Sequence, residues 1–379
     1  MKVAMVTPFP DGDLKIKGGV AGVSYYLSCS MVALFPELDL HVIVPSYCGR
    51  QSVDVVNGIS VHYVPMPNYL PPALANISVF RSRLFKCLST LNPDLVHFQG
   101  AASWGYRYKG RKIITIHGIP EKDVLFQSGS WTRLKSQVLA VLEGMSRKDF
   151  RNSIIINEYV NDSIGSQLVG NKFLIANPID EGCFHIAGRQ NRQVVLFGGV
   201  ICQRKNVLGV LSAFCKVANA VPEAELWIAG NTSDPDYYEA CLSFVAEHKL
   251  TQKVRFLGSL GIDQMREALG AASVLVLLSY QETAPLIIAE AMAGGIPVVA
   301  SNICGIPYMI DQGINGFTVD PNDTDSAANY LISILRDPFL ATRLGIEAKR
   351  YAECTHHPVT VAQKTMDAFK AVLDEGCGK

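Results

Sequence analysis

Short β-branched runs alternate with stretches of helical spacing, twice over, and this alternation constrains the fold most. The first set comprises "KVAMVTPF" (2–9), "DLHVIVPS" (39–46), "ISVHYVPM" (59–66), "DLVHFQG" (94–100), "KIITIHG" (112–118) and "SIIINE" (153–158). Between several of them lie helical stretches such as "VAGVSYYLSCSMVALF" (20–35). Strands separated by helices imply parallel βαβ units and a sheet covered on both faces. A polar, irregular stretch, "DEGCFHIAGRQNRQ" (180–193), interrupts the pattern and reads as a linker. The alternation restarts with "VVLFGG" (194–199), "ELWIAG" (225–230), "KVRFLG" (253–258), "ASVLVLLS" (272–279), "IPVVAS" (296–301) and "GFTVD" (316–320). The fold class is therefore α/β, with two doubly wound halves of about six strands each, and the tail from 325 onward reads as helical. In such sheets ligands bind at the carboxyl ends of the strands, so the informative residues lie just after them.

Composition narrows the function. The 379 residues suit two domains, and 49% hydrophobic content supplies large cores. The 34 basic and 34 acidic side chains balance, so no nucleic-acid partner is expected. Ten cysteines without C-x-x-C spacing read as free thiols of a reducing cytosol. "MKVAMVTPF" reads as a strand rather than a signal peptide, and no apolar run approaches the roughly 20 residues that span a bilayer. A cytoplasmic protein is expected, with peripheral contact to the inner face of the membrane left open. One basic amphipathic stretch, 71–91 with Arg81, Arg83 and Lys86, could lie on membrane or be a core helix with a solvated face.

The stretch "SYQETAPLIIAEAMAGG" (279–295) places Glu282 after an apolar strand and Glu290 inside an almost wholly apolar helix. Thr283 is the expected N-cap, Pro285 fits the first turn, and Gly294–Gly295 stop the helix. Glu290 then stands about six residues in, roughly 9 Å along the axis. A buried carboxylate needs donors. A ribose diol on Glu290, a diphosphate across the helix start and a hexose by Glu282 match that length. The alternative is that Glu290 pairs with a core Arg or caps another loop.

Here the sequence resembles the retaining nucleotide-sugar glycosyltransferases of family 4. Glu282 and Glu290 meet their Glu-x7-Glu signature. "EAMAGGIPVVAS", "GIPYMIDQGINGFTVDPND", "LWIAGN" and "VRFLG" resemble that family's second domain, and "KGGVAGVSYYLS", "PDLVHFQG", "ITIHG" and "IANPID" its first. The resemblance implies a GT-B fold: two Rossmann-like domains facing across a cleft, at 1–185 (acceptor) and 186–355 (donor). A C-terminal helix, 356–379, would cross back to the first domain. It implies transfer of a sugar from a nucleoside-diphosphate sugar to a hydroxyl of a glycan, lipid or small molecule, with retention and without metal. Glu282 would hold the sugar hydroxyls, Glu290 the ribose, and the backbone amides of Leu286 and Ile287 the diphosphate. Lys205, in "FGGVICQRKN", would stabilise the departing phosphate. Gly19 would let backbone approach that phosphate, and His117 would face the reacting sugar.

Three positions depart from the family pattern. Gly199 stands where an Arg is usual, and Arg204 could supply the missing charge. Gln99 occupies the second position of an "HxH", and Pro178 replaces a Gly. An epimerase or hydrolase on the same fold, or a non-catalytic nucleotide-sugar-binding subunit, are the alternatives. His356 and His357 lack the Cys or carboxylate spacing of a metal site.

Overall fold

The computed structural model describes residues 1–10, 16, 18–47, 49–67, 76–124, 130–186 and 193–375. Residues 71–75 of the basic stretch, 187–192 of the expected linker and Lys17 of the glycine loop lie outside them. The chain divides into two compact units, Met1–Pro178 with Pro358–Lys379, and Ile179–His357.

The first unit is built on an eight-stranded sheet: β1 (Lys2–Val6), β2 (Asp39–Ser46), β3 (Ser52–Val56), β4 (Ile59–Pro65), β5 (Leu95–Gln99), β6 (Lys112–Ile116), β7 (Asn152–Ile155) and β8 (Asn171–Leu174). The order is β3-β4-β2-β1-β5-β6-β7-β8, parallel except for the antiparallel β3–β4 hairpin. Alternation along β1 splits its core: Val3 and Met5 face one side with Leu27 and Met31, and Ala4 and Val6 face the other with Leu84 and Leu88. The helix Pro358–Asp374 belongs to this unit. It packs on the helix Gly19–Leu34, and its Phe369 sets its ring edge against His97.

β3 and β8 are additional to the six strands read from the sequence. β3 joins β4 through Asn57 (φ 49°) and Gly58 (φ 80°), both left-handed. That is the two-residue hairpin turn for which Asn-Gly is preferred, so the signal was present. β8 is an edge strand with mostly exposed residues, and it carries no apolar pattern to read.

The second unit is a six-stranded parallel sheet: β9 (Val194–Gly198), β10 (Glu225–Ala229), β11 (Val254–Gly258), β12 (Val274–Leu277), β13 (Val298–Ser301) and β14 (Phe317–Val319). The order β11-β10-β9-β12-β13-β14 reverses direction between β9 and β12. That reversal is the topological switch point, where ligands seat in such sheets. β9, β12 and β13 are buried throughout, as strands covered on both faces must be.

The basic stretch resolves into the helix Arg81–Leu91, which buries Leu84 and Leu88 and leaves Arg83 and Lys86 exposed. It is a core helix with a solvated face. No helix among the described residues is long and apolar enough to cross a membrane.

Candidate active site

The second unit gathers most of the candidate residues at its switch point. β12 ends at Leu277 and the chain turns through 278–285 into the helix Leu286–Ala293. This loop is tied from several sides. Ser301 Oγ donates to the Ser279 carbonyl (2.7 Å), the Tyr280 N–H donates to the Arg204 carbonyl (2.8 Å), and the Gly305 N–H donates to the Glu282 carbonyl (2.9 Å). Cys304 Sγ donates to Gln281 Oε1 at 2.8 Å. Backbone held this way positions the Glu282 carboxylate before any ligand arrives.

The helix starts later than the sequence suggested. Pro285, not Thr283, is its N-cap, and no side chain caps it. Pro285 has no N–H to donate, so the first free amides are those of Leu286 and Ile287. No described group accepts from either. The helix start lies against the end of β9: a Cβ on Gly198 would sit 2.6 Å from Ile287 Cγ1, so only glycine fits there. Gly294 caps the helix and Gly295 turns the chain at φ 66°. Glu290 is four residues beyond Leu286, about 6 Å along the axis rather than 9 Å.

After β9 a short 3-10 turn, Gln203–Lys205, brings two cations to the same carboxylate. Lys205 Nζ donates to Glu282 Oε1, and both residues are buried. Arg204 Nη1 donates to the Gln281 carbonyl (2.6 Å) and lies 3.5 Å from Glu282 Oε1. Asn206, at φ 51°, ends the turn and caps the next helix by accepting from the Gly209 N–H at 3.2 Å. Gly199, the position read as lacking the usual Arg, has φ 152°, and a Cβ there would meet Lys205 Cε at 3.4 Å. The structure thus places the Arg204 guanidinium, not residue 199, beside Glu282.

Glu290 is a different case. Among the described residues it makes no hydrogen bond and no ion pair. It keeps some accessible surface but is ringed by protein. Burial, and then the charge of Asp180, push its carboxyl up to about 7. The cation in the neighbourhood is engaged elsewhere: Arg266 Nε lies 3.2 Å from Asp180 Oδ2, and its Nη2 pairs with Asp263. Cys183, in the turn Glu181–His185 that packs on this helix, has its thiol raised by burial and by Glu290 and Asp180. Asp180 and Cys183 were not legible as neighbours, because only tertiary packing brings that turn onto the helix.

Gly19 and His117 belong to the first unit, both beyond carboxyl ends of its strands. Gly19 opens the helix Gly19–Leu34, but the left-handed conformation falls on Gly18 (φ 89°). His117 follows β6, is largely buried, and its Nε2 hydrogen-bonds Gln99 Oε1. Burial lowers the imidazole to about 4, partly offset by Asn177, so the ring is neutral at pH 7. Gln99, the departure from "HxH", therefore has a job in orienting His117. His97 is held below the usual histidine range, at about 3, by burial and then by His117, and it bonds Thr115 Oγ1 at 2.7 Å.

No group of three or more His, Cys, Asp or Glu among the described residues could hold a metal ion. His356 and His357 face different rings, Tyr351 and Phe184.

Comparison with known proteins matches residues 184–351 to the family model "Glycosyl transferases group 1" and residues 17–160 to "Glycosyltransferase Family 4". A D-inositol 3-phosphate glycosyltransferase of Streptomyces avermitilis is 36% identical over 135 residues, which is 36% of this chain and 29% of that protein's length. Among solved structures, a sucrose-phosphate synthase from Thermosynechococcus elongatus superposes with a TM-score of 0.82 at 18% identity, over 99% of both chains. Anabaena HepE, solved in complex with UDP-glucose, gives 0.74 at 17% identity, over 98% of this chain and 100% of its own. The fold is GT-B. The two family models with these neighbours support a glycosyltransferase of the family 4 kind.

Proposed function

We propose that this chain transfers a sugar from a nucleoside-diphosphate sugar to a hydroxyl-bearing acceptor, with retention of configuration and without a metal ion. The observation that carries the reading is Glu290: a carboxylate ringed by protein, with no donor among the described residues, on the helix whose first free amides open the switch point. A ribose diol would satisfy it, and those amides would take the diphosphate. The UDP-glucose bound to the HepE neighbour supports a donor of this class.

In this reading Lys205 and Arg204 stabilise the negative charge that grows on the leaving phosphate. Glu282, held between them, accepts from the sugar hydroxyls, and its pairing with Lys205 loosens as the phosphate arrives. The bond from the anomeric carbon to the phosphate oxygen breaks and the acceptor oxygen bonds to that carbon on the same face. The acceptor proton goes to the departing phosphate oxygen, so no protein base is required. His117 is held neutral by burial and oriented by Gln99 in the first unit.

The test is a thermal-shift screen of UDP-, GDP- and ADP-sugars in EDTA, followed by product analysis. A ligand at 100 times its Kd adds about 2.7 kcal/mol of stability. A shift with one sugar nucleotide, and product of retained configuration formed in EDTA, are expected. No shift with any, or activity restored only by magnesium or manganese, would contradict the proposal.

A further inference from the structure

In the first unit the helix Ser130–Arg147 carries an exposed apolar stripe. A surface helix normally buries its apolar stripe and solvates its charges. Here Leu134, Val138, Val141 and Met145, spaced i, i+4, i+7 and i+11, are 50%, 48%, 60% and 61% exposed. Two of its ionisable side chains, Glu143 and Arg147, face inward. Glu143 accepts from the N–H groups of Ala102 (2.7 Å) and Ser103 (3.2 Å), and Arg147, only 3% exposed, pairs with Glu121. The stripe runs about 16 Å along the axis.

Exposed cations lie near both ends of this helix. Arg133 is exposed near its amino end, and Lys148 follows its carboxyl end. The loop that meets this end adds exposed Arg107 and Lys109: the Arg107 N–H donates to Asp149 Oδ2 at 2.6 Å, and Lys109 acts on the same carboxylate. The acids nearby are neutralised, Asp149 by Lys112 and Glu121 by Arg147.

We infer that this helix docks on an anionic lipid surface, its apolar stripe in the acyl boundary and Arg107, Lys109, Arg133 and Lys148 on the headgroups. Four half-exposed side chains make a strip on the order of 400 Å². That is about half the roughly 800 Å² per partner of a stable protein interface, so a second copy fits poorly. A lipid surface sets no such minimum, and it rewards an apolar stripe bordered by cations. The inference does not depend on sugar transfer.

The full chain is sedimented with vesicles of equal parts phosphatidylglycerol and phosphatidylcholine, and with pure phosphatidylcholine. Binding is expected to the anionic vesicles, at least tenfold weaker to the neutral ones. The combined variant Val138→Gln, Val141→Gln and Met145→Gln should lose at least tenfold in vesicle binding with its melting temperature and nucleotide-induced shift unchanged. Val141→Gln alone, with a smaller loss, serves should the triple variant fold poorly. Three results overturn the inference: no binding by the parent chain, binding undiminished in either variant, or a parent dimer that the substitutions convert to monomer.

Discussion

Glu282 and Glu290 lie eight residues apart in one stretch of chain, yet they live in opposite electrostatic worlds. Glu282 is buried between Lys205 and Arg204. Glu290 has no described partner, and the charge of another carboxylate, Asp180, acts on it. A carboxylate paired in the resting protein is part of the machinery that holds the loop. A carboxylate left unpaired in a protein-lined site is poised for something that comes from outside. The difference teaches that the two acids of the Glu-x7-Glu spacing should respond differently when their surroundings are changed.

The largest effect is expected at the paired end. Lys205→Ala should reduce kcat/KM by about a hundredfold or more, the scale of losing one transition-state donor. It should also lower apo stability by about 3 kcal/mol, because Glu282 is left buried with only the more distant Arg204. Steady-state kinetics and a melt of the same sample check both. An unchanged melting temperature would mean the ion pair is not what holds this loop.

Arg204→Ala should cost less, about tenfold in kcat/KM, since its guanidinium is about one-third exposed and 3.5 Å from Glu282. This variant tests whether Arg204 replaces the cation that Gly199 lacks. Silent kinetics would dismiss that compensation.

At the unpaired end the prediction concerns pH. The Glu290 carboxyl titrates near 7 in the folded chain, above its ordinary value, so the folded state binds the proton more tightly than the unfolded one. Its contribution to apo stability is complete below the ordinary carboxyl pKa and is lost as pH rises through about 7. Donor binding runs the other way, because ribose hydroxyls donate best to the ionised form. Affinity should therefore tighten severalfold from pH 6 to pH 8, with proton release at the lower end, measured by calorimetry in buffers of different ionisation enthalpy. Affinity flat across that range would argue that Glu290 meets no hydroxyl.

Much of this was legible in the sequence, and unevenly so. All six strands of the second unit were readable, and β9, β12 and β13, covered on both faces, show as unbroken apolar runs. In the first unit β3 was missed despite its Asn-Gly turn, and β8 because an exposed edge strand has no pattern. The helix after β12 was placed correctly but begun too early, since Thr283 imitates a cap and Pro285 in fact occupies that position. Spacing marked Glu290 as anomalous. It did not reveal that Arg266 is taken by Asp180 and Asp263, because those residues meet only in the folded unit. Nor did it show the outward stripe of the helix Ser130–Arg147, since periodicity gives an apolar face without saying which way it turns.

The most direct test of the account is Glu290→Gln, with apo melting temperature and sugar-nucleotide Kd measured on the same preparation at pH 8. The substitution keeps shape and removes the charge that accepts from the diol. Hydrogen bonds to a charged acceptor are worth roughly 1.5–3 kcal/mol each, so Kd should weaken at least tenfold. Apo stability should hold or rise, because no described cation is stranded and a desolvated charge is gone. A large apo destabilisation with unchanged Kd would contradict the account and make Glu290 a structural residue of the core.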